Sequence, residues 1–447
     1  MPLVDLRVRR SVSLAIPLLV LWVTLCHGST AADQVATALI EHGFENVAVD
    51  ASDSALTTVW YENRIYRYDM AAMGVAAGLA LRALEGTQGV LELVPGNRGV
   101  SVVAVSAPIT AWADFLAGRA DATTFRAQLD IDTSRRRSGE PLGPRGEERK
   151  NRPTWRTDLA LRPLFGFQLG NGRDPFDYTL QIAPEATMSP FPGGLVTLQA
   201  AIRIHDDLDP CGSEDPCRPF IFPGRNTLSW GGWLPGAVLS AVSAGLFPGD
   251  RYGVAAELGR MVWKDQLEIW GGGDVSGKLL FLEDTIEYSS LDRWALFLAL
   301  THRFRGLDLE STLTVGRFEE EDFAIKFELA RRIHEFEIGF FVATNPNSDL
   351  QFSPYEDPED DGESAAGVNL RFALPVARYL SPRAIRPTTV PEFPFTYKST
   401  VEPVAVQITP YDNLDRLRKR LYPTFIWNEI EDLRKGNRYL PAEGSSR

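Results

Sequence analysis

The chain has little of what intracellular enzymes and nucleic-acid binders rely on. Among 447 residues there are three cysteines and five histidines, which excludes a cysteine-rich metal or disulfide scaffold. Basic residues are outnumbered, 46 Lys and Arg against 59 Asp and Glu, for a net charge of −13. A polyanion-binding face needs the opposite balance, so nucleic acid is excluded as a partner. No stretch of eighteen apolar residues occurs beyond the N-terminus, which excludes a bundle of membrane helices. That absence says nothing against a membrane barrel, whose alternating strands average out in any hydropathy window. The sequence also lacks a GxSxG, an HExxH and a phosphate-binding loop. No enzyme, metal site or cofactor is expected.

What is present begins with an export signal. Arg7, Arg9 and Arg10 precede a short apolar core from Leu14 to Leu25, and the small residues Ser29, Thr30, Ala31 and Ala32 follow. Such a run is too short to span a bilayer, and its flanks fit a cleaved signal peptide over 1–32. Cys26 invites a lipoprotein reading, but Leu25 before it is not the small residue that lipidation requires. Cleavage leaves Cys211 and Cys217, six positions apart, which an oxidising compartment would join as a disulfide. A metal site there would need two further ligands, and His205 is the only nearby histidine.

Residues 33–130 read as a small periplasmic α+β module. Val35, Leu39 and Ile40 share a helical face that ends at Gly43. Asn46 to Asp50 and Leu56 to Tyr66 read as strands, Met70 to Leu84 as a helix, and Ile109 to Leu116 as another. Gly89 to Val94 and Val100 to Ser106 read as a hairpin turning at Pro95, Gly96 and Asn97. Residues 131–153, with Arg135, Arg136 and Arg137 among prolines and glycines, carry too few large apolar side chains for a core and read as a linker.

From 154 to 410 the chain turns to short strands. Leu307, Leu309, Ser311, Leu313 and Val315 alternate with Asp308, Glu310, Thr312 and Thr314. Phe323, Ile325, Phe327 and Leu329 alternate with Lys326 and Glu328, and Phe336, Ile338, Phe340 and Val342 with Glu335 and Glu337. A period of two fits strands, since a helical period of 3.6 would scatter these apolar residues round the axis. The fold class expected is mainly β, an antiparallel outer-membrane-type β-barrel of about twelve strands with a restricted lumen. A soluble β-sandwich shares the alternation and differs only in which face meets solvent. Aromatic residues at strand ends, Trp155, Trp230, Trp263, Trp270, Trp294, Phe304 and Phe318, favour the barrel. In a barrel the charged positions Asp308, Glu310, Lys326, Glu328, Glu335 and Glu337 face the lumen, because a charge on the lipid face is costly.

Two acidic clusters read as solvated charge. The Glu319 to Asp322 turn is one; the other, from Asn345 to Ala366, reads as a mobile loop, and calcium binding there has no EF-hand spacing to support it. Residues 411–447, with helical patterns at Leu414 to Arg420 and Trp427 to Leu433, read as a charged helical tail.

The segments Leu161 to Gly194, Leu246 to Gly259 and Gly316 to Arg332, together with RFALPVARYLSPRAIRP and FPFTYKS further on, resemble the YjbH exopolysaccharide biosynthesis family. The resemblance covers much of Trp155 to about Ser399. LIEHGFENVAV resembles repeats in that family's periplasmic modules, although the α+β module ahead of the barrel departs from the family pattern. The resemblance implies a non-enzymatic outer-membrane protein assisting export, assembly or surface attachment of an exopolysaccharide. Its partners would be the polysaccharide chain, outer-membrane lipid and periplasmic export proteins. A general porin and a secreted polysaccharide-active β-sandwich enzyme are the alternatives.

Overall fold

The computed structural model describes residues 30–133, 150–168, 176–206, 218–263, 266–317, 323–334, 336–344, 364–374, 385–388, 390–398 and 421–440. The protein is mainly β, with mostly antiparallel strand pairing, and no described helix is long and apolar enough to cross a membrane.

The first part is α+β. Helix α1 (Ala31–His42) starts under Thr30, whose hydroxyl accepts from the Asp33 backbone N–H, and stops at Gly43 in the left-handed conformation. Strands β1 (Glu45–Asp53) and β2 (Leu56–Glu62) form an antiparallel hairpin. Helix α2 (Asp69–Ala83) then carries the chain to β3 (Val90–Asn97), which lies parallel to β2. A parallel neighbour requires such a crossover. The chain turns at Arg98 and Gly99 into β4 (Val100–Ser101), so Pro95, Gly96 and Asn97, expected in the turn, lie in the strand instead. Strand β5 (Val103–Pro108), helices α3 (Ile109–Leu116) and α4 (Ala122–Arg126), and β6 (Asp130–Thr133) complete a sheet of order β1-β2-β3-β5-β6. The sheet therefore runs into the first residues read as linker.

The main apolar core of this part includes the C-terminal segment 421–433. Leu421, Tyr422, Phe425, Ile426, Ile430 and Leu433 are buried among Met70, Met73, Ala77, Trp112, Phe115 and Phe125. They come from helix α5 (Pro423–Asn428) and a 3₁₀ helix (Ile430–Tyr439). The expected charged tail is, over 421–440, a core element. Its 3₁₀ helix packs so closely on α2 that a Cβ on Gly74 would stand 1.9 Å from the Leu433 carbonyl oxygen.

The second part is one large sheet. In chain order its strands are β7 (Thr157–Gln168), β8 (Asp177–Met188), β9 (Gly194–Asp206), β10 (Ile221–Pro223), β11 (Asn226–Leu234), β12 (Val238–Phe247), β13 (Arg251–Val262) and β14 (Leu267–Phe281). There follow β15 (Ile286–Tyr288), β16 (Arg293–Phe304), β17 (Leu309–Arg317), β18 (Phe323–Ile333), β19 (Phe336–Thr344), β20 (Ser364–Leu374), β21 (Ile385–Pro387) and β22 (Val390–Lys398). Neighbours run antiparallel in sequence order from β7 to β22, with β10 and β15 as short side strands and β21 on the outer edge of β7. Thus β21 and β22, separated in the chain only by residues 388–389, stand at opposite ends of the strand order. Thr388 continues the β21 pairing by donating its N–H to the Leu159 carbonyl at 2.7 Å.

The two ends of the strands differ. At one end the connections are 189–193, 235–237, 263–266, 305–308 and 334–335, with 375–384 the longest. At the other end the strands are joined through 169–176, 207–225, 282–292 and 345–363, with shorter connections at 248–250 and 318–322. The α+β part sits at the short-turn end. There Gly193 donates to the Arg98 carbonyl, the Trp233 indole to the Ser101 carbonyl at 2.8 Å, and the Gly306 N–H to Asn428 Oδ1 at 2.7 Å. Arg64 ties the parts together, 2.7 Å from Asp158 on β7 and 3.2 Å from Glu45. Burial opposes its charge, and the carboxylates of Asp158, Glu45 and Glu62 outweigh burial and raise its pKa.

Candidate functional site, the buried charged face of the large sheet

The large sheet buries its polar face. On β16, Leu296, Leu298 and Leu300 are 60, 62 and 42% exposed, while Ala295, Phe297, Ala299, Thr301 and Arg303 between and beyond them are buried. The register aligns the exposed side chains across strands. Ile269 of β14 pairs with Leu300, Leu300 with Leu313 of β17, and Leu313 with Phe327 of β18. All four are exposed. A continuous apolar band of this kind is foreign to water-facing surfaces of monomeric proteins.

Aromatic side chains mark the edges of the band. Trp155, Trp263 and Phe336 are exposed at the short-turn end, and Phe176, Tyr288, Trp294 and Phe323 at the other. Trp270, expected among them, points to the buried face, where its ring meets Phe297 edge-on and its N–H reaches Thr301 Oγ1 at 3.1 Å. Phe318 lies outside the described residues.

On the buried face, charges of alternating sign form a row across six neighbouring strands near the short-turn end. Glu268 of β14 meets Arg303 of β16 at 2.6 Å, and Arg303 meets Glu310 of β17 at 3.4 Å. Glu310 lies 3.7 Å from Arg332 of β18, which pairs with Glu337 of β19, and Glu337 lies 3.6 Å from Arg371 of β20. The dyad repeat puts each on the same face, and the register places neighbours within reach. Nearer the opposite end, Lys326 pairs with Glu328 at 3.2 Å, and the Asn369 amide donates to Glu328 at 3.1 Å. On the first strands Arg162, Glu185 and Gln199 repeat the pattern at 2.9 and 3.2 Å.

Of the charged positions singled out in the sequence, Glu310, Lys326, Glu328 and Glu337 lie on this face. Asp308 lies in the turn before β17, at positive φ, and is half-buried. Glu335, Cys211 and Cys217 lie outside the described residues. The sequence reading missed Glu268, Arg303 and Arg371, whose strands carry less regular alternation, and Arg332, which lies past the alternating stretch Phe323 to Leu329 of β18. It also missed Tyr422, which closes the row from the C-terminal segment. The Tyr422 hydroxyl donates to Glu310 Oε1 at 2.5 Å and accepts from Arg332 at 2.8 Å, and the Arg303 guanidinium stands 4.4 Å above its ring.

A second cluster lies where the C-terminal segment meets the β18–β19 turn. His334 Nδ1 is 2.9 Å from Glu429 Oε2 and 3.0 Å from Asp432 Oδ2. The Tyr68 hydroxyl donates to Glu429 at 3.3 Å, and burial together with the two carboxylates pushes its pKa far up, so it stays protonated.

The paired row presents fixed donors and acceptors with little net charge, suited to hydrogen-bonding a hydroxyl-rich molecule rather than to attracting an ion of one sign. Together fold and site define a mainly β protein whose large antiparallel sheet turns apolar side chains outward and paired charges inward. Residues 11–221 match the model of the YjbH family, described as exopolysaccharide biosynthesis protein YbjH. This establishes the likeness to the exopolysaccharide biosynthesis family over that span, which contains the α+β part and the first strands of the large sheet. The part read from the sequence as a departure from the family pattern thus falls within the match. No curated protein matches the chain.

Proposed function

We propose that the large sheet is a closed outer-membrane β-barrel, with the α+β part on its periplasmic side, and that the protein assists export, assembly or surface attachment of an exopolysaccharide without acting as an enzyme. The observation that carries this reading is the inverted sheet. Leu298 and its neighbours would face lipid, while Glu268, Arg303, Glu310, Arg332 and Glu337 would line the interior. A soluble sandwich places these two sets the other way round.

Three further features support it. Strands β21 and β22, adjacent in the chain, pair with β7 and β20 respectively, as a last strand that closes a barrel would. Short turns at one end and longer connections at the other match periplasmic and extracellular ends, and two aromatic girdles match the two membrane interfaces. Arg7 to Ala32 reads as an export signal. The family's name connects the chain with exopolysaccharide biosynthesis.

A deletion strain tests the cargo. The expected outcome is extracellular polysaccharide reduced in amount or released from the cell surface. Unchanged polysaccharide in both respects, together with conductance for small solutes in planar bilayers, would replace this reading by a porin.

A further inference from the structure

We propose that His334, Glu429 and Asp432 bind one divalent transition-metal ion, with Zn²⁺ the best fit, and that the ion fastens the C-terminal segment to the β18–β19 turn. Among the described residues these three present one ligand atom each, all within 4.8 Å of one another. Glu429 and Asp432 are neighbours at i and i+3, but His334 lies 95 positions before Glu429, so no spacing rule reveals the set. The fold brings His334, at the tip of a two-residue turn and in the left-handed conformation at φ 54°, over Glu429 at the end of α5 and Asp432 in the 3₁₀ helix.

Protons alone leave this cluster unsatisfied. His334 Nδ1 faces both carboxylates at 2.9 and 3.0 Å, but one ring nitrogen carries at most one proton and serves one oxygen well. Asp432 Oδ2 is buried and accepts no hydrogen bond. Lys435 is 2.7 Å from the other oxygen, Oδ1, leaving Oδ2 directed at the cluster. A cation at the centre satisfies all three atoms at once. The two separations from His334 Nδ1, 2.9 and 3.0 Å, need widen by only a few tenths of an ångström to reach the edge of about 3.3 Å implied by Zn–N and Zn–O bonds of about 2.0–2.2 Å.

The donor set selects the ion. One imidazole and two carboxylates suit Zn²⁺, whereas Ca²⁺ requires six or more oxygens and Mg²⁺ near-ideal octahedral oxygen geometry. His334 has a side-chain exposure of 53%, so the ion can enter from solvent and water can take the fourth position. The Tyr68 hydroxyl on Glu429 provides the outer hydrogen bond that orients a ligating carboxylate.

The test uses the untagged full chain, purified in detergent and treated with chelator, then titrated calorimetrically with Zn²⁺ and with Mg²⁺. One Zn²⁺ per chain is expected, with a rise in Tm that Mg²⁺ does not produce. His334→Ala and Asp432→Asn should each weaken Zn²⁺ binding by more than the roughly 10–100-fold that losing an outer-sphere partner costs. His334 is half-exposed, so its variant should keep the wild-type circular dichroism and unfolding in the absence of metal. Absence of Zn²⁺ binding by the wild type, or equal binding by a folded His334→Ala variant, would overturn the site.

Discussion

Arg303 and Glu268 face each other at 2.6 Å on neighbouring strands with both side chains 4% exposed, on the side of the sheet where a soluble sandwich would place its leucines. Removing the arginine should be more damaging than removing either acid. Arg303→Ala leaves Glu268 and Glu310 without that cation and is expected to cost about 3–5 kcal/mol, the usual loss when one partner of a buried pair is deleted. Glu268→Gln, which leaves Arg303 beside Glu310, should cost less. Equilibrium urea unfolding in lipid vesicles measures both, and an Arg303→Ala variant as stable as the wild type would remove the row from any structural role.

The outward face gives the opposite expectation from the one its exposure suggests. Leu298 is 62% exposed near the middle of β16. In water, Leu298→Arg at such a site would be almost neutral. Facing lipid, the same change should cost about 2–4 kcal/mol. The same unfolding assay separates the two cases.

Much of this was legible in the sequence. The alternation of Leu309, Leu313 and Val315 with Glu310 and Thr314 predicts β17, and it does so because one side of that strand is uniform in environment. The face that is buried was not legible, since a dyad pattern carries no sign; only burial of Glu310, Lys326 and Glu337 beside exposed Leu313, Phe327 and Phe340 supplies it. The β3–β4 turn was misplaced by two residues because Pro95 and Gly96, strong turn formers, are held in the strand by parallel pairing with Tyr61 and Glu62. The C-terminal segment was read as a charged tail because Glu431, Asp432, Arg434 and Lys435 dominate its composition. Tyr422, Phe425, Ile426, Ile430 and Leu433, spaced three and four apart, were the available sign of a buried face.

Gly74 should tolerate no side chain. A Cβ there would collide with the Leu433 backbone, and Gly436 in turn leaves only 2.6 Å to the Ala71 carbonyl oxygen. Gly74→Ala is therefore expected to push the 3₁₀ helix off α2, costing about 1–3 kcal/mol as other overpacked cores do. Hydrogen exchange should quicken over 421–440 and stay unchanged in β16 to β18. Protection equal to wild type in the C-terminal segment would contradict the packing.

The most direct measurement is fractionation of the natively expressed protein, followed by electrophoresis with and without boiling. A membrane barrel predicts recovery in the outer-membrane fraction and a mobility that shifts on heating. Recovery as a soluble periplasmic protein with one mobility would contradict it, because the exposed leucines of β16 would then need a covering other than lipid.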